Sequence, residues 1–217
     1  MIDLHTHSLF SDGELLPSEL IRRAKVIGIN VLAITDHVDF SNYLFVIEHI
    51  KAVAAQFSLR KNGIRVLTGV EITHVPPGDI PRLIELSRKA GAGVVVIHGE
   101  TIVEPVEPKT NLAGIEGGAD IIAHPGFISV KEAERAAKNN VFLEISGRGG
   151  HSFSNGYVAM IAKQTGAGLV FDSDAHADRD LMDYTYALNV VRGAGLREKD
   201  FKKMIENSHK IANREGL

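Results

Sequence analysis

Within its first thirteen residues, MIDLHTHSLFSDG, the chain carries Asp3, His5, His7 and Asp12, side chains that can bind a divalent metal ion or move a proton. Residues two apart on an extended chain share a side, about 6.6 Å apart, so His5 and His7 can face one centre. Asp12 falls in the SDG turn that follows, which can fold back over the same point. The arrangement recurs. Further apolar, β-branched runs end in His37, Glu71, His98, His124, Asp174 and His176, so that six of the ten histidines stand at run ends. One such histidine alone is more often structural than a ligand. Eight ligand-type side chains at matching positions on six of seven runs are poorly explained as independent accidents.

The runs that must position these groups are 1–7, 29–37, 64–73, 93–99, 119–126, 141–147 and 168–176. They alternate with amphipathic stretches, the pattern of a parallel α/β fold, whose strands converge at their C-terminal ends on the active face. Leu44, Ile47, Ile50, Val53, Ala54 and Phe57 recur at helical steps across 41–59. Asp79 with Pro81 predicts a helix start near residue 80, and Ser129 with Glu132 a capping box. Residues 100–118 read as a long loop with at most a short helix, more often functional than filler. Beyond residue 178 the chain is predicted helical, with NREGL fraying at the end. The expectation is one α/β domain over residues 1–217.

Composition narrows the chemistry. The chain has 217 residues, 44% of them hydrophobic, a net charge of -3 and no cysteine. Disulfides, thiolate nucleophiles and thiolate zinc sites are thereby excluded, and there is no global basic field to hold long nucleic acid. No apolar run of about 18 residues and no leader pattern is present, so no membrane association and a cytoplasmic location are expected.

Six imidazoles (His5, His7, His37, His98, His124, His176) and three carboxylates (Asp12, Glu71, Asp174) exceed the about four to six ligands of a single ion. They suit two or three ions with a shared carboxylate, and the donor types favour Zn, Mn or Fe over Ca or Mg. Three such ions, the carboxylates and one hydroxide leave a charge of about +2, complementary to a phosphate dianion.

The ordered motifs DLHTHS, SDG, TDH, GVE, HGE, AHPG and SDAH resemble those of the PHP (polymerase and histidinol phosphatase) family over residues 3–176. The resemblance implies a distorted (β/α)7 TIM-like barrel and metal-dependent hydrolysis of phosphoesters by a metal-bridging hydroxide. It also implies the ligand sets. His5, His7, Glu71 and Asp174 would hold one ion, Glu71 would bridge to a second held by His98 and His124, and Asp12, His37 and His176 would hold a third.

Around that set, Asp3 either orients an imidazole or is structural, Asp36 beside His37 could orient it, and Asp172 is more structural. Arg148, in SGRGGH, is the first choice for gripping substrate phosphate, ahead of Arg179 and Lys109. His151 could protonate a leaving group or line the pocket, while His49, His74 and His209 receive no role. A small phosphorylated substrate, histidinol-phosphate-like or a nucleotide phosphate, is favoured over a long polymer. The catalytic set is then Glu71, Asp174 and Arg148; the sequence leaves oligomeric state open. One alternative is another metal-dependent hydrolase barrel, of amidohydrolase or TatD-like nuclease type. The fourth run ends in His98 rather than a bridging lysine, and only seven runs are readable, which argues against it. Another is a non-catalytic metal-binding PHP module, which would be expected to lack ligands.

Overall fold

The computed structural model describes residues 1–58 and 63–214. Its strands are β1 (Ile2–Asp3), β2 (Val31–Ile34), β3 (His37–Val38), β4 (Arg65–Ile72), β5 (Val94–His98), β6 (Ile121–Ala123), β7 (Phe142–Ser146) and β8 (Leu169–Asp172). The helices are α1 (Pro17–Val26), α2 (Tyr43–Ser58), α3 (Ile80–Ala90), α4 (Thr110–Gly117), α5 (Val130–Asn139), α6 (Asn155–Thr165), α7 (Tyr184–Gly193) and α8 (Glu198–Ala212). The strands pair in parallel in the order β1-β2-β4-β5-β6-β7-β8, with β3 beside the end of β4. This is a nearly closed, distorted (β/α)7 TIM-like barrel, as the motif resemblance implied.

Two apolar layers hold it. The inner one comprises Ile2, Leu4, Val31, Ala33, Leu67, Val94, Val96, Ile121, Ala123, Phe142 and Val170, closed by Ile211 and Ala212 of α8. The last helix therefore caps the end of the barrel away from the strand C-termini. The outer layer packs the other strand faces, such as Leu32, Val70, Val95, Ile97, Ile122 and Leu143, against helical residues including Ile47, Leu83, Ile115 and Val158. Branched side chains suit both layers because each strand is covered on both faces.

Most helix signals are met where the sequence put them. Ser129 caps α5 through a reciprocal box with Glu132, its backbone N–H donating to Glu132 Oε2 at 2.9 Å. Helix α3 starts at Ile80 with Pro81 in its first turn, although Asp79 makes no side-chain cap. Residue 59 of the predicted 41–59 helix lies outside the described residues, as do residues 215–217 of the segment expected to fray. The other two of that segment are held: Asn213 Oδ1 accepts from Arg65 at 3.0 Å and Arg214 pairs with Asp120 at 3.3 Å. No described helix is long and apolar enough to cross a membrane.

The main departure is at the seam. Instead of a strand over residues 1–7, the ladder of β1 stops at Asp3, and Thr6 makes one isolated bridge to Ala175. Between these points carboxylates take over most of the pairing, beside one backbone bond from the Asp174 N–H to His5 O at 3.0 Å. Asp172 Oδ1 accepts from the Leu4 N–H at 2.6 Å, and Asp3 accepts from the Ser173 N–H at 3.2 Å and the Ser173 hydroxyl at 2.5 Å. Asp3 is thus a closing residue of the barrel and reaches no imidazole.

Candidate metal centre

Strand alternation delivers part of the site directly. The inward parity of Val94 and Val96 continues to His98, that of Leu67 to Glu71, and that of Val31 and Ala33 to His37. Register sets His37 beside Glu71. Two other groups need unusual backbone, since His124 (φ 29°) and Asp174 (φ 54°) are among the few non-glycine residues with positive φ. Left-handed backbone costs a non-glycine residue about 1–2 kcal/mol and clusters where function requires it. The SDG turn closes as expected, with the Gly13 N–H donating to Ser8 O at 3.0 Å. A Cβ on Gly13 would stand 2.5 Å from His7 O, so the turn lies against that backbone.

All nine expected ligand residues meet at this end of the barrel. His7 Nε2 lies 3.0 Å from His5 Nε2, 3.3 Å from Asp174 Oδ1 and 3.5 Å from Glu71 Oε2. His5 Nε2 is 3.3 Å from Glu71 Oε2, and His124 Nε2 is 3.6 Å from Glu71 Oε1 and 3.7 Å from Asp174 Oδ2. At the rim, Asp12 Oδ1 is 3.1 Å from His176 Nε2 and 3.5 Å from His37 Nε2. Ligands about 2.0–2.2 Å from a tetrahedral ion stand about 3.3–3.6 Å from one another, whereas N–H···O bonds cluster near about 2.9–3.0 Å. Most of these spacings match co-ligation better than direct hydrogen bonding, while His37 Nδ1, 2.8 Å from Glu71 Oε2, stands at hydrogen-bond distance.

Three groups emerge whose donor atoms all lie within 4.8 Å of one another: His5, His7 and Glu71; His98, His124 and His151; and His7, Asp12, His37 and His176. His5, His124 and Asp174 form a further set. Three of these differ from the implied partition, in that His151 joins the second, His7 also faces the third, and the further set joins His124 of the second ion to His5 and Asp174 of the first. Buried polar atoms point the same way. Both Glu71 oxygens, both His124 nitrogens, His7 Nδ1 and His98 Nδ1 lack a well-aligned hydrogen bond among the described residues. An orphaned buried polar atom costs about 1–3 kcal/mol, a cost that coordinating a cation relieves. The donor set therefore fits divalent ions.

The electrostatics are those of a buried charge cluster. Burial pushes Asp174 up to about 7. Burial also acts to raise Glu71, but the opposing charges of His5 and His37 hold it well below the usual carboxylate range. Burial lowers His7 and His124 against the opposing pull of the Glu71 carboxylate on each. His151 is lowered to about 4, again by burial first. His7, His124 and His151 are thus neutral near pH 7, the form that ligates a metal, whereas neighbouring carboxylates outweigh burial and raise His5, His37 and His98.

Arg148 lies where the sequence placed it, its Nη1 2.8 Å from His176 Nδ1, and it lines the open pocket of about 450 Å³ above the cluster. Arg179 instead pairs with exposed Glu14 at 2.7 Å, and Lys109 does not line the pocket. Asp36 does not orient His37; its carboxylate accepts from the Ser8 N–H, the Ser8 hydroxyl and the Ser11 hydroxyl, each at 2.7 Å, fixing the turn that carries Asp12. His74, given no role from sequence, lines the pocket.

Two carboxylates escaped the sequence reading. Glu144, within β7, takes His5 Nδ1 at 2.7 Å on Oε1 and the His124 N–H at 2.9 Å on Oε2. Its signal was available as an acid inside the buried run VFLEIS. Glu104, on the long loop before α4, lies 3.2 Å from His98 Nε2 and carried no signal beyond its place in that loop.

The family model described as PHP domain matches residues 3–216. The chain belongs to the PHP domain family. At family level this is a metal-dependent phosphoesterase, and the His, Asp and Glu groups able to bind metals are those just described. An uncharacterized protein of Methanocaldococcus jannaschii is 48% identical over 206 residues, 94% of each chain. A probable phosphatase of Thermoanaerobacter is 26% identical, over 91% of this PHP domain and 88% of that protein. Among solved structures, a chain of an archaeal ribonuclease P with mature tRNA superposes with a TM-score of 0.69 at 19% identity, covering 98% of this chain and 90% of that one. That likeness concerns the fold alone.

Proposed function

We propose that this PHP domain hydrolyses a small phosphomonoester, histidinol-phosphate-like or a nucleotide phosphate, with two or three Zn, Mn or Fe ions. His5, His7, Glu71 and Asp174 hold the first ion. His98, His124 and the shared Glu71 hold the second, with His151 added to that set. Asp12, His37 and His176 hold the third. The observation that carries the reading is the stacking of these donor groups side by side at co-ligation spacing, floored by Glu71 and Asp174 and open on one side to a pocket wide enough for a small ligand. The probable phosphatases among its relatives support the same reaction class.

Bound ions would acidify a water molecule and neutralise charge on the phosphoryl oxygens. The chain supplies the rest. Glu71 presents its two oxygens to different histidines, Oε2 to His5 and Oε1 to His124, and so keeps two ligand groups in register. Arg148 brings a guanidinium to the pocket wall, where its fork can grip a phosphate oxygen and fix the substrate's orientation. His151, held at about 4, has no proton to give a leaving group near pH 7. Its Nδ1 is engaged by the Thr101 hydroxyl at 2.7 Å, leaving Nε2 toward the pocket.

The test combines metal analysis of the purified protein with phosphate release from histidinol phosphate, nucleotides and an aryl phosphate under Mn and under Zn. Release from at least one small monoester, abolished by chelator, is expected. At full metal occupancy, release from none of them would turn the reading to a non-catalytic metal-binding module, and cleavage of amides alone to an amidohydrolase-type barrel.

A further inference from the structure

Glu104 stands on the loop of residues 99–109 between β5 and α4, and three imidazoles from three separate elements converge on its carboxylate. His98 Nε2, at the end of β5, is 3.2 Å from Oε2; His151 Nε2, beyond β7, is 3.4 Å from Oε1; His74 Nε2, beyond β4, is 3.7 Å from Oε2. His98, His124 and His151 already form a ligand group, and His74, His98 and Glu104 form a second that shares His98. Spacings of 3.2 Å from Oε2 to His98 and 3.4 Å from Oε1 to His151 lie near those of co-ligands with bonds of about 2.0–2.2 Å to one ion, the carboxylate reaching the two imidazoles through different oxygens.

Glu104 differs from the other carboxylates in how it is held. Glu71 and Asp174 stand at strand ends with side chains 0% and 2% exposed, whereas Glu104 is 37% exposed beside Ile102 and Val103, which are also open to solvent. The base of its loop is fixed. Glu100 N–H donates to Asn111 Oδ1 at 3.0 Å, Asn111 N–H donates back to Glu100 Oε1 at 3.0 Å, and the Thr101 hydroxyl holds His151 Nδ1. Among the described residues, the tip has the Val106 N–H to Glu104 O bond at 2.9 Å, while Glu107 O, nearer α4, accepts from the Thr110 N–H at 3.3 Å and the Thr110 hydroxyl at 2.7 Å. A tip with few buried contacts opens at low free-energy cost.

We propose that Glu104 is an exchangeable ligand of the second ion, entering beside His98 and His151 as an addition to the set of His98, His124, His151 and the shared Glu71 when the pocket is empty and yielding its place to an oxygen of an incoming phosphate. The ligand half of this stands on geometry alone; the exchange half rests on the phosphoesterase reading. Carboxylate and phosphate oxygens are donors of one kind, so the two compete for one position and the loop tip follows Glu104 outward when phosphate wins. No bond is made or broken other than the coordination bond exchanged. His98 and His151 stay in place because their elements are buried.

The experiment uses the full chain as wild type, Glu104→Ala and Glu104→Asp, with Glu107→Gln, on the same loop and exposed, as the control. Co(II) is titrated in against a chelator while its visible absorption is followed, and inorganic phosphate binding to the fully loaded proteins is then measured by calorimetry. Glu104→Ala should weaken one Co(II) by about tenfold and alter its absorption band, with partial rescue in Glu104→Asp and none of this in Glu107→Gln. If the closed tip is populated at about nine-tenths, phosphate should bind about tenfold tighter to Glu104→Ala. An unchanged cobalt spectrum and affinity would overturn the ligand assignment. Unchanged or weaker phosphate binding would overturn the exchange. A cobalt effect in a protein that hydrolyses no phosphoester leaves the ligand assignment standing and removes the functional reading instead.

Discussion

At the scale of single residues, Glu71 and Glu144 do different work and separate experimentally. Glu71 is fully buried, with both oxygens turned to imidazoles of different groups. Glu71→Gln keeps its shape but removes a charge shared by two ions, so kcat/KM should fall by at least about a hundredfold, about 2.7 kcal/mol, and metal content should drop. Full activity in that variant would sink the ligand scheme. Glu144 has no pocket exposure; it accepts from the far nitrogen of His5, fixing the tautomer in which Nε2 faces the centre. Such carboxylates behind a ligating histidine are worth about 10–100-fold in metal affinity. Glu144→Gln should lower Zn affinity by that order, read by chelator competition, while Glu71→Gln should lower it further. Equal affinity in Glu144→Gln and wild type would reduce Glu144 to a packing role.

At the scale of elements, the site depends on loops crossing at close range above β5 and β6. Gly126 (φ +59°) lies so near the start of the 99–109 loop that a Cβ there would stand 1.9 Å from Glu100 O, which is backbone and cannot swing aside. Gly126→Ala combines a left-handed penalty of about 1–2 kcal/mol with overpacking of about 1–3 kcal/mol. A fall in stability of about 3 kcal/mol is expected, seen as a lower denaturant midpoint, with metal affinity also reduced because His124 is two residues away. A midpoint within error of wild type would contradict the close approach. The same crossings show what was legible in the sequence. His98, Glu71 and His37 could be placed because strand alternation is regular up to the barrel mouth. His124 could not be placed by parity: counted from Ile121 and Ala123 it falls on the wrong face, and a φ of 29° turns it in. Asp3 shared parity with His5 and His7 yet serves the seam, because β1 ends at Asp3 and alternation carries no information past that break. Glu104 and His151 reach the site through loop conformations that no periodicity encodes.

At the scale of the whole molecule, the barrel is apolar at one end and charged at the other. Ile211 and Ala212 of α8 seal the lower interior, while the upper interior gathers His5, His7, Glu71, Glu144, Asp172 and Asp174, all buried. Such a half-polar interior is stable only where its charges are mutually compensated, and several of its polar atoms have no hydrogen-bond partner among the described residues. Bound cations would therefore act on the fold as well as on the chemistry. An ion present at about a thousand times its dissociation constant stabilises the native state by about 4.1 kcal/mol per site, and each kcal/mol moves Tm by about 2–4 °C in a chain of this size. Exhaustive chelation should lower Tm by about 8–16 °C for every tightly held ion removed, measured by calorimetry at pH 7.5. The difference should shrink as pH falls through the range of His5, His37 and His98, whose carboxylate neighbours outweigh burial and hold them above the ordinary histidine value, because ligands must shed their protons to bind. Glu71→Gln should show a smaller chelator effect than wild type, since fewer ions are there to lose. Equal Tm with and without chelator, at metal contents shown to differ, would mean that the polar end of the barrel is self-sufficient and that the ions serve the reaction alone.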